Sequence, residues 1–114
     1  MNPSTSDLPV AQVKAELFKA MGHPARIRVL ETLSEGERTV GEIASLVDLE
    51  MSTLSQQLAV LRRAGVVTTR RQGNSIHYAL RDERMSQLLA VARQIIVSSL
   101  RDSREMLESL DGRP

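Results

Sequence analysis

The sequence predicts a mainly α-helical domain carrying one small β-hairpin, and three observations predict it. Apolar residues recur at helical spacing in separate stretches along the chain. Two β-rich segments, Val66 to Gln72 and Ser75 to Leu80, flank Gly73-Asn74, a two-residue connection suited to a tight hairpin. The last stretch, residues 82–110, keeps helical spacing without Pro or Gly for longer than the core of a 114-residue chain needs.

Taken in order, residues 1–8 read as a flexible tail, and Val10, Val13, Leu17, Phe18 and Met21 then define a first amphipathic helix that Gly22 ends. Pro24 suits the first turn of a second helix, whose stripe is Ile27, Leu30 and Leu33 and which stops at Ser34-Glu35-Gly36. Thr39-Val40-Gly41-Glu42 has the form of a capping box. Its hydroxyl and carboxylate satisfy backbone donors that a helix start leaves unpaired, and Ile43, Ala44 and Val47 follow as the buried face. After Asp48-Leu49-Glu50, a fourth helix from Met51 to Ala64 carries Leu54, Leu58 and Leu61 inward, with Gly65 as its stop. In the hairpin, Ile76, Tyr78 and Leu80 alternate onto one face.

The final helix carries Met85, Leu88, Leu89, Ala92, Ile95, Ile96, Leu100, Leu107 and Leu110. At about 1.5 Å per residue it is some 40 Å long, so much of this stripe needs a partner outside the monomer, and a second copy is the economical one. Two helices joined by a short turn and followed by a β-ribbon make a winged helix-turn-helix. The expected organisation is therefore a helix-turn-helix over 39–64, a wing over 66–80, a dimerisation helix over 82–110 and a short tail over 111–114. Val13, Leu17, Leu88, Ala92, Ile95 and Ile96 are the expected dimer-interface residues.

Composition narrows the chemistry. Hydrophobic residues make up 41% and charged residues 25%, but only one Phe and one Tyr occur, so the core must be aliphatic. There is no Cys, which removes disulfides, thiolate nucleophiles and soft-metal thiolate sites. No apolar run approaches the roughly 20 residues of a membrane span, and the polar start is unlike a signal peptide, so a cytoplasmic location away from membranes is expected. The net charge of +1 conceals an asymmetry. From Met51 to Arg81 there is no Asp or Glu, while Arg62, Arg63, Arg70, Arg71 and Arg81 all fall in that segment.

With the leucines of the fourth helix inward, its outward face is Ser52, Gln56, Ala59 and Arg63, flanked by Thr53 and Ser55. Gln can pair bidentately with adenine, Ser and Thr can bond base edges or phosphates, and small side chains let a helix sit deep in the major groove. Gln57 lies on the flank, as a phosphate contact or a half-buried residue, and Arg62 is similarly ambiguous. Arg70, Arg71, Gln72 and Asn74 lie near the hairpin tip, where they could reach a phosphate or the minor groove. Double-stranded DNA is the expected partner, with Ser52, Thr53, Ser55, Gln56, Gln57, Arg63, Arg70, Arg71 and Asn74 as its contacts.

The stretches His-Pro-Ala-Arg-Ile-Arg-Val-Leu (23–30) and Ser-Thr-Leu-Ser-Gln-Gln-Leu-Ala-Val-Leu-Arg-Arg-Ala-Gly-Val-Val (52–67), with the ribbon ending in Tyr78, resemble the ArsR/SmtB family of dimeric repressors. The resemblance covers roughly residues 12–100. It implies a winged helix-turn-helix fold, a DNA-contacting helix that includes Ser52, Thr53, Ser55, Gln56 and Gln57, and a dimer interface on the first and last helices. Glu50 departs from the family, which often has Ser or another good cap there. The family's metal-binding stretch E-L-C-V-C-D-L corresponds to Glu37-Arg38-Thr39-Val40-Gly41-Glu42-Ile43, with Thr39 and Gly41 in place of both thiols. Its alternative site uses Asp, His and Glu on the last helix, which here contains no His.

No metal ligands and no cofactor are therefore expected. His23 reads as a cap or packing residue of the second helix, and His77 as a surface or DNA-proximal residue of the ribbon. The expected function is a homodimeric, sequence-specific transcriptional regulator repressing from a palindromic operator. The effector stays open: an organic small molecule between the dimer helices, an unconventional metal site, or none. A protein-interaction module of the same fold is the competing reading, and the acid-free segment weighs against it. An enzyme is not expected, for want of any nucleophile, metal cluster or phosphate loop.

Overall fold

The computed structural model describes residues 3–112. Its elements are α1 (Pro3–Met21), α2 (Pro24–Leu33), β1 (Arg38–Thr39), α3 (Val40–Val47), α4 (Met51–Arg63), β2 (Val67–Gln72), β3 (Ser75–Leu80) and α5 (Arg84–Asp111). Residues up to Glu83 form one unit and α5 another.

In the first unit the core is aliphatic, as the composition requires. Val29, Leu30 and Leu33 of α2, Ile43 and Val47 of α3, Leu54, Leu58 and Leu61 of α4, and Val66 and Val67 at the start of the wing are all buried. Burying each such side chain contributes roughly 1.5–3 kcal/mol, which makes this cluster the main source of the unit's stability. Ala20 and Met21 close it from the end of α1, while Phe18 stays exposed. Among the described residues no helix is long and apolar enough to cross a membrane.

The helix starts use the side chains that their sequences suggest. His23 caps α2, its Nδ1 accepting from the backbone N–H of Ala25 at 3.1 Å, with Pro24 in the first turn. Thr39 and Glu42 form the complete capping box of α3: Glu42 N–H donates to Thr39 Oγ1, and Thr39 N–H donates to Glu42 Oε1 at 2.8 Å. The Thr39 N–H and the Thr39 hydroxyl, which also donates to Glu42 Oε1 at 3.0 Å, hold the Glu42 carboxyl below the ordinary glutamate range.

Three departures from the sequence expectations have physical causes. The first helix begins at Pro3, so residues 3–8, expected as part of a tail, are its opening turns. A proline at the first helical position loses only an N–H that would be unpaired anyway, and Pro9 is accommodated inside the helix. The last helix begins at Arg84 and continues to Asp111, two residues later and one residue further than expected. The remaining ends of the two expected tails, residues 1–2 and 113–114, lie outside the described residues. Finally, the ribbon is part of a three-stranded antiparallel sheet of order β1-β3-β2. In the added pairing Arg38 faces Tyr78 and Thr39 faces His77, and a two-residue strand is too short to show a period.

The α5 unit is a helix of 28 residues, about 42 Å long. Val91, Ile95, Ile96, Val97, Leu100, Met106, Leu107 and Leu110 are exposed along it, Ile95 to 64%.

Candidate nucleic-acid interface

The turn between α3 and α4 is set by Asp48, which takes the left-handed conformation (φ 54°) that an Asp tolerates better than most residues. Its N–H donates to the carbonyl of Ala44, ending α3 within one residue. Glu50 then sits at the N-cap of α4 in an extended conformation but makes no side-chain capping bond. The start of α4 thus lacks the capping hydroxyl that a Ser would supply.

At its other end α4 finishes in a Schellman motif. Val66 N–H donates to Leu61 C=O and Gly65 N–H to Arg62 C=O, both at 3.0 Å, with Gly65 at φ 75°. This closure turns the chain straight from α4 into β2. A side chain at Gly65 would be strained by that φ and would also press on the Arg81 guanidinium, 3.3 Å from the position of a Cβ.

With Leu54, Leu58 and Leu61 buried, α4 presents Ser52, Ser55, Gln56, Ala59 and Arg63 to solvent and Thr53 at the half-buried edge. Arg62 and Arg63 lie in the last turn, where positive charge complements the helix dipole. Gln57 is half-buried: its Oε1 accepts from Arg26 Nη1 at 3.3 Å, while Arg26 Nη2 donates to the Lys19 carbonyl at the end of α1. Arg26 Nε is buried without a hydrogen-bond partner. One guanidinium thereby ties α1 and α2 to the flank of α4.

The β2–β3 register runs from Val67 opposite Leu80 to Gln72 opposite Ser75, with Gly73-Asn74 at the tip and Gly73 at φ 63°. Alternation puts Arg71 on the face of Ile76, Tyr78 and Leu80, and Arg70 on the opposite face with Gln72 and His77. Arg71 and Asn74 are exposed. Arg70 is not free. Its Nε donates to both Glu37 carboxylate oxygens at 2.8 and 2.9 Å, Nη2 also engages Oε1, and Nη1 donates to Gln72 Oε1 at 2.9 Å. His77 Nδ1 lies 3.6 Å from the same carboxylate. The Arg70 contact holds the Glu37 carboxyl below its ordinary range.

Of the expected DNA contacts, the structure places Ser52, Thr53, Ser55, Gln56 and Arg63 on one surface of α4, and Arg71 and Asn74 at the ribbon tip. It engages Gln57 and Arg70 with other side chains. Glu37 and Arg26 were missed. Their spacings of 33 and 31 residues from Arg70 and Gln57 leave no local signal of either pairing. Among the described residues no group of three or more His, Asp and Glu is placed to hold a metal ion. Where the resemblance would put thiols, Thr39 caps α3 and Gly41 is an exposed residue of its first turn.

A helix-turn-helix domain family matches residues 21–70. Over 103 residues, 90% of each chain, this sequence is 52% identical to Rv0081 of Mycobacterium tuberculosis, an uncharacterized HTH-type transcriptional regulator. The crystal structure of Rv0081 aligns with a TM-score of 0.76 at 53% identity, covering 83% of this chain and 96% of that one. A transcriptional repressor SmtB homolog of Synechocystis is 33% identical over 88 residues, 77% of this chain and 67% of that protein. A homodimeric winged helix-turn-helix DNA-binding domain of Mycobacterium bovis aligns with a TM-score of 0.74 at 27% identity, covering 88% of this chain and 91% of that one. Fold, site and relatives together define a winged helix-turn-helix, DNA-binding transcriptional regulator. The chain belongs to the ArsR/SmtB family.

Proposed function

We propose that the chain works as a homodimeric repressor that places the α4 helices of two protomers in successive major grooves of a palindromic operator. The carrying observation is the outer face of α4, where Ser52, Ser55, Gln56 and Arg63 are exposed with no acid among them. Gln56 is the base-reading residue, Ser52, Thr53 and Ser55 bond base edges or phosphates, and Arg63 meets the backbone. Gln57 serves as a flank contact: with its carbonyl oxygen turned to Arg26, its amide N–H groups are left to meet a phosphate. The ribbon supplies Arg71 and Asn74 to the adjacent backbone or minor groove.

Dimerisation is supported by the exposed apolar residues of α1 and α5 and by the homodimeric relative. Val13 is 69% exposed, Ile95 and Ile96 are exposed, and Leu17 and Leu88 are half-buried. Ala92 is a small exposed position between them in sequence. Repression is supported by the SmtB homolog, and the effector is something other than a thiolate-bound metal, since the chain has no Cys. The chain has no catalytic role in this reading.

Gel-retardation titration with duplex from the protein's own promoter region tests the interface. Gln56→Ala should lose roughly 1–3 kcal/mol of discrimination against an unrelated duplex, and Arg71→Ala should weaken binding to both duplexes alike. Undiminished binding by both variants would remove the proposed DNA face.

A further inference from the structure

The arginine closest in sequence to the exposed ribbon tip apart from Arg71 is held by the protein itself. Glu37, in the loop after α2, takes the Nε and Nη2 edge of Arg70 on its two carboxylate oxygens, and Gln72 takes Nη1. A two-point grip of this kind is also how a guanidinium holds a phosphate. The pair is on the surface, the Arg70 side chain being 51% exposed and that of Glu37 32%. Solvent-exposed ion pairs of this type are weak enough to exchange partners.

We infer that Glu37 is an internal phosphate mimic that occupies Arg70 in the free protein and must release it before the wing can grip a DNA backbone. The inference rests on the DNA-binding reading of the wing. Its consequence is selectivity. On arbitrary DNA, where attraction comes almost entirely from phosphate neutralisation, the occupied arginine contributes little. On the operator, contacts made by α4 hold the wing against the backbone long enough for Arg70 to exchange the carboxylate for a phosphate. Glu37 is thus a specificity-determining residue acting through Arg70, flanked by Gln72, which accepts from Arg70 Nη1, and by His77, whose Nδ1 lies 3.6 Å from the carboxylate. Arg71, on the other face of the ribbon, makes no hydrogen bond or ion pair with the described residues and keeps its full charge available to DNA.

Fluorescence anisotropy with promoter-derived and unrelated duplexes of equal length tests this, using the full chain and the variants Glu37→Gln, Glu37→Ala, Arg70→Ala and Glu37→Gln/Arg70→Ala. Both Glu37 variants should bind the unrelated duplex about two- to fivefold more tightly, the range an exposed ion pair spans. The slope of log affinity against log salt should steepen by about 0.9, one additional phosphate contact. In the Arg70→Ala background the Glu37 substitution should change the salt slope by nothing. The proposal is overturned if the Glu37 variants bind unrelated DNA no more tightly than the parent, or if the gain and the steeper slope persist without Arg70. Failure of the unsubstituted protein to bind either duplex would instead remove the DNA reading, and this proposal with it.

Discussion

At the residue scale, Glu50 occupies the N-cap of α4, the helix proposed to read DNA, without doing what a cap does. Its backbone has the right extended conformation, yet its carboxylate bonds none of the free N–H groups of the first turn. A serine there would satisfy one of them and would remove a negative charge from the helix end expected to approach phosphate. Glu50→Ser should therefore raise unfolding stability by about 1 kcal/mol in a denaturant titration. An unchanged or lower midpoint would show that the site gains nothing from a hydroxyl. Residue types were the most legible layer of the sequence: Ser52, Ser55 and Gln56 stand exposed where helical periodicity puts them, and Arg71 is exposed near the hairpin tip. Arg70 and Gln57 were legible only as residue types, because their immediate partners come from segments about thirty residues away. An acid-free run in the chain is not an acid-free patch in space, and Glu37 is the difference.

At the scale of elements, the boundaries that were readable are those enforced by local chemistry. The Thr39–Glu42 box, Pro24 in the first turn of α2 and Gly65 after α4 each satisfy or forgo particular backbone hydrogen bonds, and each signal lies within a few residues. The start of α1 was not readable in this way, because Pro3 and Pro9 permit a helix as readily as they mark a tail. Strand β1 was hidden because it is defined by its pairing with β3 and not by any pattern of its own. The capping box also makes stability depend on pH with a definite sign. The folded-state pKa of Glu42 is lowered, so its contribution is complete above the ordinary glutamate value of about 4.3 and is lost as pH falls through the lowered value. Melting temperature should thus fall between about pH 5 and pH 3. In Glu42→Gln, which keeps an acceptor for the Thr39 N–H but cannot titrate, that fall should be shallower. Equal slopes would mean that the box contributes nothing through its charge. Glu37, lowered by Arg70, adds to the same acid loss in both proteins.

At the scale of the whole molecule, size and composition decided most of what could be excluded, and the excess length of α5 decided what had to be added. A 28-residue helix with eight large apolar residues exposed is a poor endpoint for a monomer in water. In the proposed dimer a second copy would cover these residues and supply the second reading helix that a palindromic site requires. Glu37 binds Arg70 of the wing, and Arg26 ties α1 and α2 to the flank of α4. The most direct test is a hydroxyl-radical footprint of the protein on its own promoter region. Two equivalent protected half-sites whose centres lie about 10 base pairs, or roughly 34 Å, apart are the predicted result, from two α4 helices in successive major grooves. A single unsymmetric protected patch, or no protection at concentrations that retard the duplex, would contradict it.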